Sequence, residues 1–476
     1  MRYIISLLIG LVIFCNTVSA QEKWDLRKIV DHATANNIAV KQAEVQASIS
    51  GLIYDQGRLS RYPSVNFNGN TSFNNGRNQD PTSFNLITQS YASAGMQLQT
   101  SADIFNWFSK KNTVLANQWD YEASKANADK LKNDIALTVA NNYLQILLAK
   151  EQEKIAQVQL QQTQAQLNYT RKLVDAGSLP ELNASELEAQ EARDSANYIS
   201  AKGNVVQATL VLKSNMNIDA ASPFEVAVPP VELIPIEKIA DLQPDAVYAL
   251  AIKNLPQQRV NDFKLKAAKK YAEAARGNMY PSISTFANFA TGFNSRANEI
   301  TGSQQVIIPI GKVSVNGTDY TVFPNQPFTN YAYGKTAFFR QMNQNFRQSV
   351  GLGLSVPIFN GAQLRTNWQR SKLNTLNIEL QQEGDNQKIK QDIYQAYNAA
   401  TVALEKFHAS EKSVAASQRT YDFAQKRYTV GMLSTFELIT NQNNLFRAKL
   451  ENVLNQFDFV FKMKVLEFYR GQGLKL

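Results

Sequence analysis

The chain has 476 residues, 44% hydrophobic and 19% charged, with 49 Lys and Arg against 40 Asp and Glu. That is enough chain for two or three ordinary domains or one elongated repeat protein. Its single cysteine excludes an internal disulfide, and its two histidines, His32 and His408, lack ligand spacing, which removes the usual frameworks for thiol chemistry and histidine-built metal centres.

Residues 1–20 read as a secretory signal. Arg2 supplies the positive start, Ile4 to Phe14 the apolar run, and Val18-Ser19-Ala20 a small-residue cleavage site before Gln21. Cys15 lies in that run behind bulky Phe14, which disfavours a lipoprotein signal. Losing Arg2 with the signal lowers the net charge from +9 to +8. A basic balance can mean nucleic acid. Export and the even spread of charge along helices argue against it, and the densest cluster (Lys264, Lys266, Lys269 and Lys270) reads as a solvated helix face. After the signal, no stretch approaches the roughly 20 apolar residues of a spanning helix. A membrane crossing must therefore use a closed β-barrel.

An internal duplication organises the rest. Tyr62-Pro63-Ser64-Val65 returns as Tyr280-Pro281-Ser282-Ile283, an offset of 218 residues, and Ile104-Phe105-Asn106 returns as Ile358-Phe359-Asn360, an offset of 254. The difference places a 36-residue insertion between Pro281 and Phe359. The first repeat spans 21–217: a helix over 36–60, a strand pair over 62–105, a long helix over 107–174, a tip at 175–180 and a return helix over 181–217. A Pro-rich, non-helical equatorial connector follows at 218–244, packed outside the helices. The second repeat spans 245–470: a helix over 254–278, a strand pair over 281–359 with an outer loop at 296–346, a long helix over 361–429, a tip at 430–434 and a return helix over 435–470. Residues 471–476 form a short tail.

Four segments alternate with period two, as in Val65/Phe67/Thr71/Phe73 and Val350/Leu352/Leu354. The windows 62–76, 81–102, 281–295 and 348–364 hold no Lys, Arg, Asp or Glu, although the chain averages 19% charged. A strand with one face on lipid and one on a lumen tolerates that, and a charge at the bilayer midplane costs roughly 2–4 kcal/mol. Tyr62, Phe105, Trp107, Phe108, Tyr280, Phe359 and Trp368 suit an interfacial aromatic girdle. A soluble sandwich is a poor alternative for four strands scattered among long helices. Because closed barrels start near 8 strands, four must be pooled with those of other copies. Gly351 and Gly353 read as small lumen-facing positions rather than a phosphate loop. The insertion carries an Asn316-Gly317 turn signal for a small hairpin, placed to cap the barrel mouth or to sit as a tolerated surface insertion.

No Gly or Pro interrupts Met96 to Ala176, so 107–174 predicts one helix about 100 Å long at 1.5 Å per residue. In the second repeat Ile389, Ile393, Ala396, Ala400, Ala403, Phe407, Ser410, Val414, Ser417, Tyr421, Ala424 and Tyr428 alternate spacings of four and three. That 3.5-residue period predicts left-handed coiled-coil packing. The return helices and the 25-residue helices together nearly match the long partners, which predicts a tube wall rather than a rod.

These motifs resemble the TolC family of outer-membrane efflux proteins. The signature is duplicated, as Leu173-Val174-Asp175-Ala176-Gly177-Ser178-Leu179-Pro180 and Arg427-Tyr428-Thr429-Val430-Gly431-Met432-Leu433-Ser434, and Pro357-Ile358-Phe359-Asn360-Gly361 marks a strand–helix junction. The resemblance covers the mature chain. It implies a mixed α/β membrane protein: a homotrimer whose four transmembrane strands per protomer complete a twelve-stranded barrel set in outer-membrane lipid, continued by a coiled-coil helical tunnel in the periplasm. It also implies a passive exit duct of a tripartite efflux pump or type I secretion system. The partners would be a periplasmic adaptor and an inner-membrane transporter of RND, ABC or MFS type, with no nucleic acid and no cofactor, metal or catalytic residue. Docking of the adaptor falls by resemblance on the tips: Ala176, Gly177, Ser178 and Leu179, and Val430, Gly431, Met432, Leu433 and Ser434. The channel constriction falls on Glu437, with Thr440, Asn183 and Tyr428 around it. Thr440 and Asn183 stand where the family places further acids, which weakens an acid partner for Tyr428. The alternatives are a periplasmic coiled-coil adaptor or scaffold without a pore, which leaves the uncharged strands unexplained, and a diffusion porin, which needs no such helices.

Overall fold

A computed structural model of the chain describes residues 23–79, 84–229 and 234–471. The signal assigned to 1–20, with Cys15, and the tail beyond Gly471 lie outside the described residues. In chain order the elements are α1 (Leu26–Asn36), α2 (Ile38–Leu59), β1 (Ser64–Gln79), β2 (Leu86–Phe105), α3 (Ser109–Asp175) and α4 (Glu181–Asn215). There follow α5 (Pro244–Asn254), α6 (Pro256–Gly277), β3 (Ser282–Asn294), β4 (Asn298–Val306), β5 (Gly311–Val315) and β6 (Thr318–Val322). The chain ends with β7 (Phe328–Lys335), α7 (Phe338–Gln344), β8 (Arg347–Ser355), α8 (Gln363–Thr429) and α9 (Thr435–Tyr469). The described residues fall into two units, one built from those up to 54, from 116 to 269 and from 372 onward, the other from those of 55–115 and 270–371.

In the second unit β1-β2-β3-β8 form one antiparallel sheet. Pairing sorts the side chains by face. Phe67 faces Leu98, Leu98 faces Phe289, and Thr285 faces Leu352, which gathers the apolar residues on one side. Asn66 faces Gln99, Asn68 faces Gln97, and Gln99 faces Asn288, which makes the other side polar and nearly uncharged. Gln97 donates to Asn288 at 2.9 Å across that side. An apolar ring interrupts it: Phe286 lies over Gly351, where an added Cβ would come within 2.6 Å of the ring. The small residue at 351 is thus required by a neighbour on the polar face. The strands outrun the uncharged windows, taking in Arg77, Asp103 and Arg347, because ladder pairing continues where lipid no longer dictates composition. Asp103 pairs with Lys110 at 2.9 Å.

Both strand-to-helix joints use two successive left-handed residues, Trp107 (φ 49°) with Phe108 (φ 59°), and Gly361 (φ 61°) with Ala362 (φ 62°). Bulky residues at positive φ cost about 1 kcal/mol or more each. Rings offset that cost at the first joint, where Trp107 lies 4.9 Å from Tyr280 and 5.4 Å from Phe105. This packing accounts for Phe105, Trp107, Phe108 and Tyr280, while Tyr62 and Phe359 stay exposed.

The insertion holds more than the one expected hairpin. Asn316 (φ 53°) and Gly317 (φ 81°) do turn β5 into β6, as paired left-handed residues do in tight hairpins. Around them β4 pairs with β7, and α7 fastens the base to β3. Gln341 accepts from the Asn294 amide and donates to the Thr336 carbonyl, while Asn345 donates to the Gly292 carbonyl at 2.7 Å.

In the first unit, the buried residues of α8 are Ile389, Ile393, Ala400, Ala403, Ser410, Ala424 and Tyr428. All belong to the predicted set with 3.5-residue period. Helices α3 and α8 are 67 residues each, about 100 Å at 1.5 Å per residue. The expected helices over 36–60 and 254–278 are α2 and α6, and each is preceded across a break by a further helix that the sequence reading did not place. At Asn37 the side chain leaves the helix, its amide donating to the Asn215 carbonyl and its oxygen accepting from the Ala39 amide. At Leu255 the following Pro256 enforces extended backbone, ψ 132°. Helices α1 and α5 precede these breaks.

The connector is likewise not purely irregular, because Ile239–Asp241 makes a 3-10 turn and α5 opens at Pro244. Nor is it peripheral: Val226 is buried in a core with Ile29, Val139, Ile146, Leu147, Leu212 and Phe457. Trp24 bridges to Val226 and stacks on Phe224. Tyr143 donates to the Ala227 carbonyl at 2.8 Å. Burial, reinforced by Asp25, pushes its phenol up to about 12, so it remains a donor. Buried ammonium groups pin both flanks of the connector. Lys213 donates to the Ala220 and Ser222 carbonyls, and Lys464 to the Pro235 carbonyl and to Glu467.

The lysine cluster lies on a solvated helix face, with Lys264, Lys266 and Lys269 exposed, and its members make surface contacts. Lys266 sits over Trp119 and pairs with Asp262, Lys269 pairs with Glu379, and Lys270 pairs with Glu273. Snorkelling stems let these lysines cover apolar surface while keeping their charge in water. Among the described residues, no helix is long and apolar enough to cross a membrane.

Candidate functional site

Each hairpin tip is set by a glycine. Gly177 (φ 74°) and Gly431 (φ 78°) adopt the left-handed conformation that closes a helix end. Ser178 N donates to the Leu173 carbonyl and Met432 N to the Arg427 carbonyl, both at 2.8 Å, while Gly177 N and Gly431 N reach Val174 and Tyr428. These bonds satisfy carbonyls that a helix end otherwise leaves open.

The two tips differ in how the next helix starts. Pro180 caps α4 without a side-chain bond. Ser434 caps α9 in a full capping box: its hydroxyl accepts from the Glu437 amide, and the Glu437 carboxylate accepts from the Ser434 amide at 3.2 Å. Glu437, named from the sequence as the constriction acid, is thus also the residue that starts its helix.

The expected docking residues lie at the surface of the two tips. Ala176, Gly177, Ser178, Val430, Gly431, Met432 and Ser434 are exposed, and Leu179 and Leu433 half-buried. Val430, Met432 and Phe436 are 67%, 69% and 67% exposed, an unusual concentration of bare apolar side chains at a turn.

Thr440 is exposed and bonds the Phe436 carbonyl, and Asn183 is half-buried in the first turn of α4. Tyr428 ties the two hairpins, with hydroxyls where the sequence argued against an acid. It is buried between the hairpins and does not line an open surface of this chain. Its hydroxyl lies 3.0 Å from Thr170 and 3.3 Å from Thr435, a pairing of hydroxyls that needs no acid.

Sequence reasoning missed a polar network behind the tips. Thr163 donates to buried Asp194 at 2.7 Å and accepts from Gln442. Gln190 donates to Asp194 and exchanges bonds with Asn443. With Tyr428, these contacts tie the first hairpin to the second through hydrogen bonds rather than apolar packing alone. Thr163 and Thr170 stand at the offset positions of Ser417 and Ala424, so polar residues inside a coiled-coil seam were the available signal. Among the described residues, no group of three His, Cys, Asp or Glu side chains is placed to hold a metal.

A sheet with one apolar and one polar, nearly uncharged face, together with helices of this length, defines an outer-membrane channel protein. Residues 29–217 and 247–458 match the family model described as outer membrane efflux protein, and the chain belongs to that family. It is 24% identical over 275 residues to the probable outer membrane lipoprotein SilC of Salmonella typhimurium, 58% of this chain and 56% of that protein. The chain thus spans just over half the length of that relative. It is 20% identical over 465 residues to the outer membrane protein TolC of Escherichia coli, 97% of this chain and 84% of that one. The crystal structure of CusC has the same fold, with a TM-score of 0.75 at 17% identity over 94% of this chain and 92% of that one. The protein is an outer-membrane efflux channel whose helical part lies in the periplasm.

Proposed function

We propose that the protein works as a homotrimer and forms the passive exit duct of a tripartite pump, receiving cargo at its helical tips from a periplasmic adaptor served by an inner-membrane transporter. One observation carries the reading. The sheet leaves β1 and β8 unpaired at its edges and its apolar face open, with Val65, Phe67, Val350, Leu352 and Leu354 each at least 64% exposed. Lipid covers such a face, and pooling strands from several copies removes such edges. The bare apolar tips offer the adaptor a surface of matching chemistry.

Glu437 supplies the gate in this reading. Three copies bring three carboxylates into a ring, which favours cations, while Tyr428 and the network around Thr163 hold the second hairpin against the first. The capping box makes the test sharp. Glu437→Gln keeps a residue able to complete the box but removes the charge. In planar bilayers this variant should lose cation preference while its thermal stability stays unchanged. Glu437→Ala should lose the preference and also about 1 kcal/mol of tip stability. Unchanged selectivity in Glu437→Gln would remove Glu437 from the gate and leave it a capping residue.

A further inference from the structure

The sheet is nearly uncharged, but the segments at its inner end are not. Residues 55–64, 102–115, 270–281 and 356–371 hold eight Lys and Arg against three Asp and Glu. Each acid is engaged: Asp55 pairs with Arg58 at 3.3 Å, Asp103 with Lys110 at 2.9 Å and Glu273 with Lys270 at 2.6 Å. Among the described residues, Arg61, Lys111, Arg276, Arg365 and Arg370 have no ion pair. Cations left over just beyond a lipid-facing surface are drawn to anionic headgroups.

One of these cations lines a cleft. Asp55, Arg58 and Leu59 from the end of α2, with Arg61 and Tyr62 from the link to β1, enclose about 670 Å³, within the size range of small-ligand sites. Leu59 and Tyr62 are 65% and 71% exposed, and Val65, three residues beyond Tyr62, opens the apolar face. Because Asp55 offsets Arg58, the cleft keeps one net positive charge, on Arg61. A guanidinium is weakly hydrated and meets a phosphate through two parallel N–H bonds. Set beside bare apolar side chains, it suits a headgroup with one phosphate and no amine, carried on acyl chains.

The second repeat shows the same segment without the cleft. At the offset of 218, Asp55, Arg58, Leu59, Arg61 and Tyr62 become Glu273, Arg276, Gly277, Met279 and Tyr280. The second guanidinium is gone, and Glu273 turns to Lys270. Tyr280 packs on Trp107 at 4.9 Å, and a Cβ at Gly277 would lie 2.8 Å from the Trp107 carbonyl oxygen. Of the two matching segments, only the one before β1 offers a site. We infer that this cleft binds one inner-leaflet phospholipid of net negative charge, with Arg61 on the phosphate and Leu59 and Tyr62 against the start of the acyl chains. The inference rests on the outer-membrane placement, with the helices in the periplasm, and holds whatever the number of chains.

Native mass spectrometry of full-length protein, released from outer membranes in a nonionic detergent and given equal amounts of phosphatidylglycerol and phosphatidylcholine, tests the cleft. Both lipids carry the phosphate, and only the second adds a cationic amine. The unaltered protein should retain phosphatidylglycerol in preference. Arg61→Gln should lower that retention about tenfold, the loss of one hydrogen-bonded charge pair. Arg276→Gln, which removes an exposed cation at the matching place in the second repeat, should leave it unchanged. Equal falls in both variants would mean that the whole belt of cations draws the lipid, and would overturn the cleft. Equal retention of the two lipids by the unaltered protein would overturn the headgroup. Subunits shed by Arg61→Gln with lipid retention unchanged would make the cleft a contact between copies and overturn the lipid site. The mass of the complex in the same spectra reports separately on the trimeric reading.

Discussion

Met96→Arg should abolish stable assembly in the outer membrane, whereas Gln97→Arg, one residue further on, should leave it nearly intact. Met96 faces Gly69 on one side and Thr291 on the other, in the middle of the apolar face. An arginine there puts a guanidinium into hydrocarbon in every copy, at roughly 2–4 kcal/mol each. Gln97 points to the polar face, where it donates to Asn288. A charge there lies on the polar side and loses one half-buried hydrogen bond. Heat-resistant oligomer on a gel, measured in membrane fractions at equal expression, separates the two variants. Equal loss in both would mean that the sheet does not divide lipid from lumen along the alternation of its side chains.

Lys464→Met should cost about 3–5 kcal/mol, the expected penalty when one partner of a buried ion pair is removed. Lys464 and Glu467 are each 4% exposed and lie 2.9 Å apart. The same Glu467 accepts the Glu237 amide at 2.9 Å, and Glu237 in turn holds Arg470. Without the ammonium, an uncompensated carboxylate stays in the core and the Pro235 carbonyl loses its donor. The connector should then loosen from the end of α9, visible as faster hydrogen exchange over 236–243 and a lower denaturant midpoint. Lys464→Met with Glu467→Leu should recover much of that loss, because both charges leave together. It should not recover all, since the Glu237 amide keeps no acceptor. A double variant as weak as the single one would show that the ion pair is not the source of the effect.

How far the sequence could be read depended on the range of the interaction that decides each element. The strands were legible because lipid imposes a local rule, visible residue by residue in the uncharged windows and the alternation of Val65, Phe67 and Phe73. The long helices were legible because nothing between Met96 and Ala176 can stop one, and the seam of α8 because its period is sustained. The tips were legible through Gly177 and Gly431, whose backbone need is local too. Breaks at Asn37 and Leu255 were harder. Pro256 gave a signal, but Asn37 breaks its helix through a bond to the Asn215 carbonyl, 178 residues away. Pairing of β4 with β7 across β5 and β6, and the lock of Gln341 on β3, are likewise non-local. At the candidate site, Glu437 was singled out by resemblance from its place after the second tip, and its role in the capping box was legible in Ser434 three residues before it. The partners of Tyr428, and the Thr163–Asp194–Gln442 network, come from three different helices and carry no contiguous pattern.

The size of the particle in the membrane bears most directly on all of this. Native mass spectrometry of protein extracted gently from outer membranes should give a complex of three processed chains. A water-soluble single chain, with Val65 and Leu352 shielded from solvent by its own fold, would contradict it.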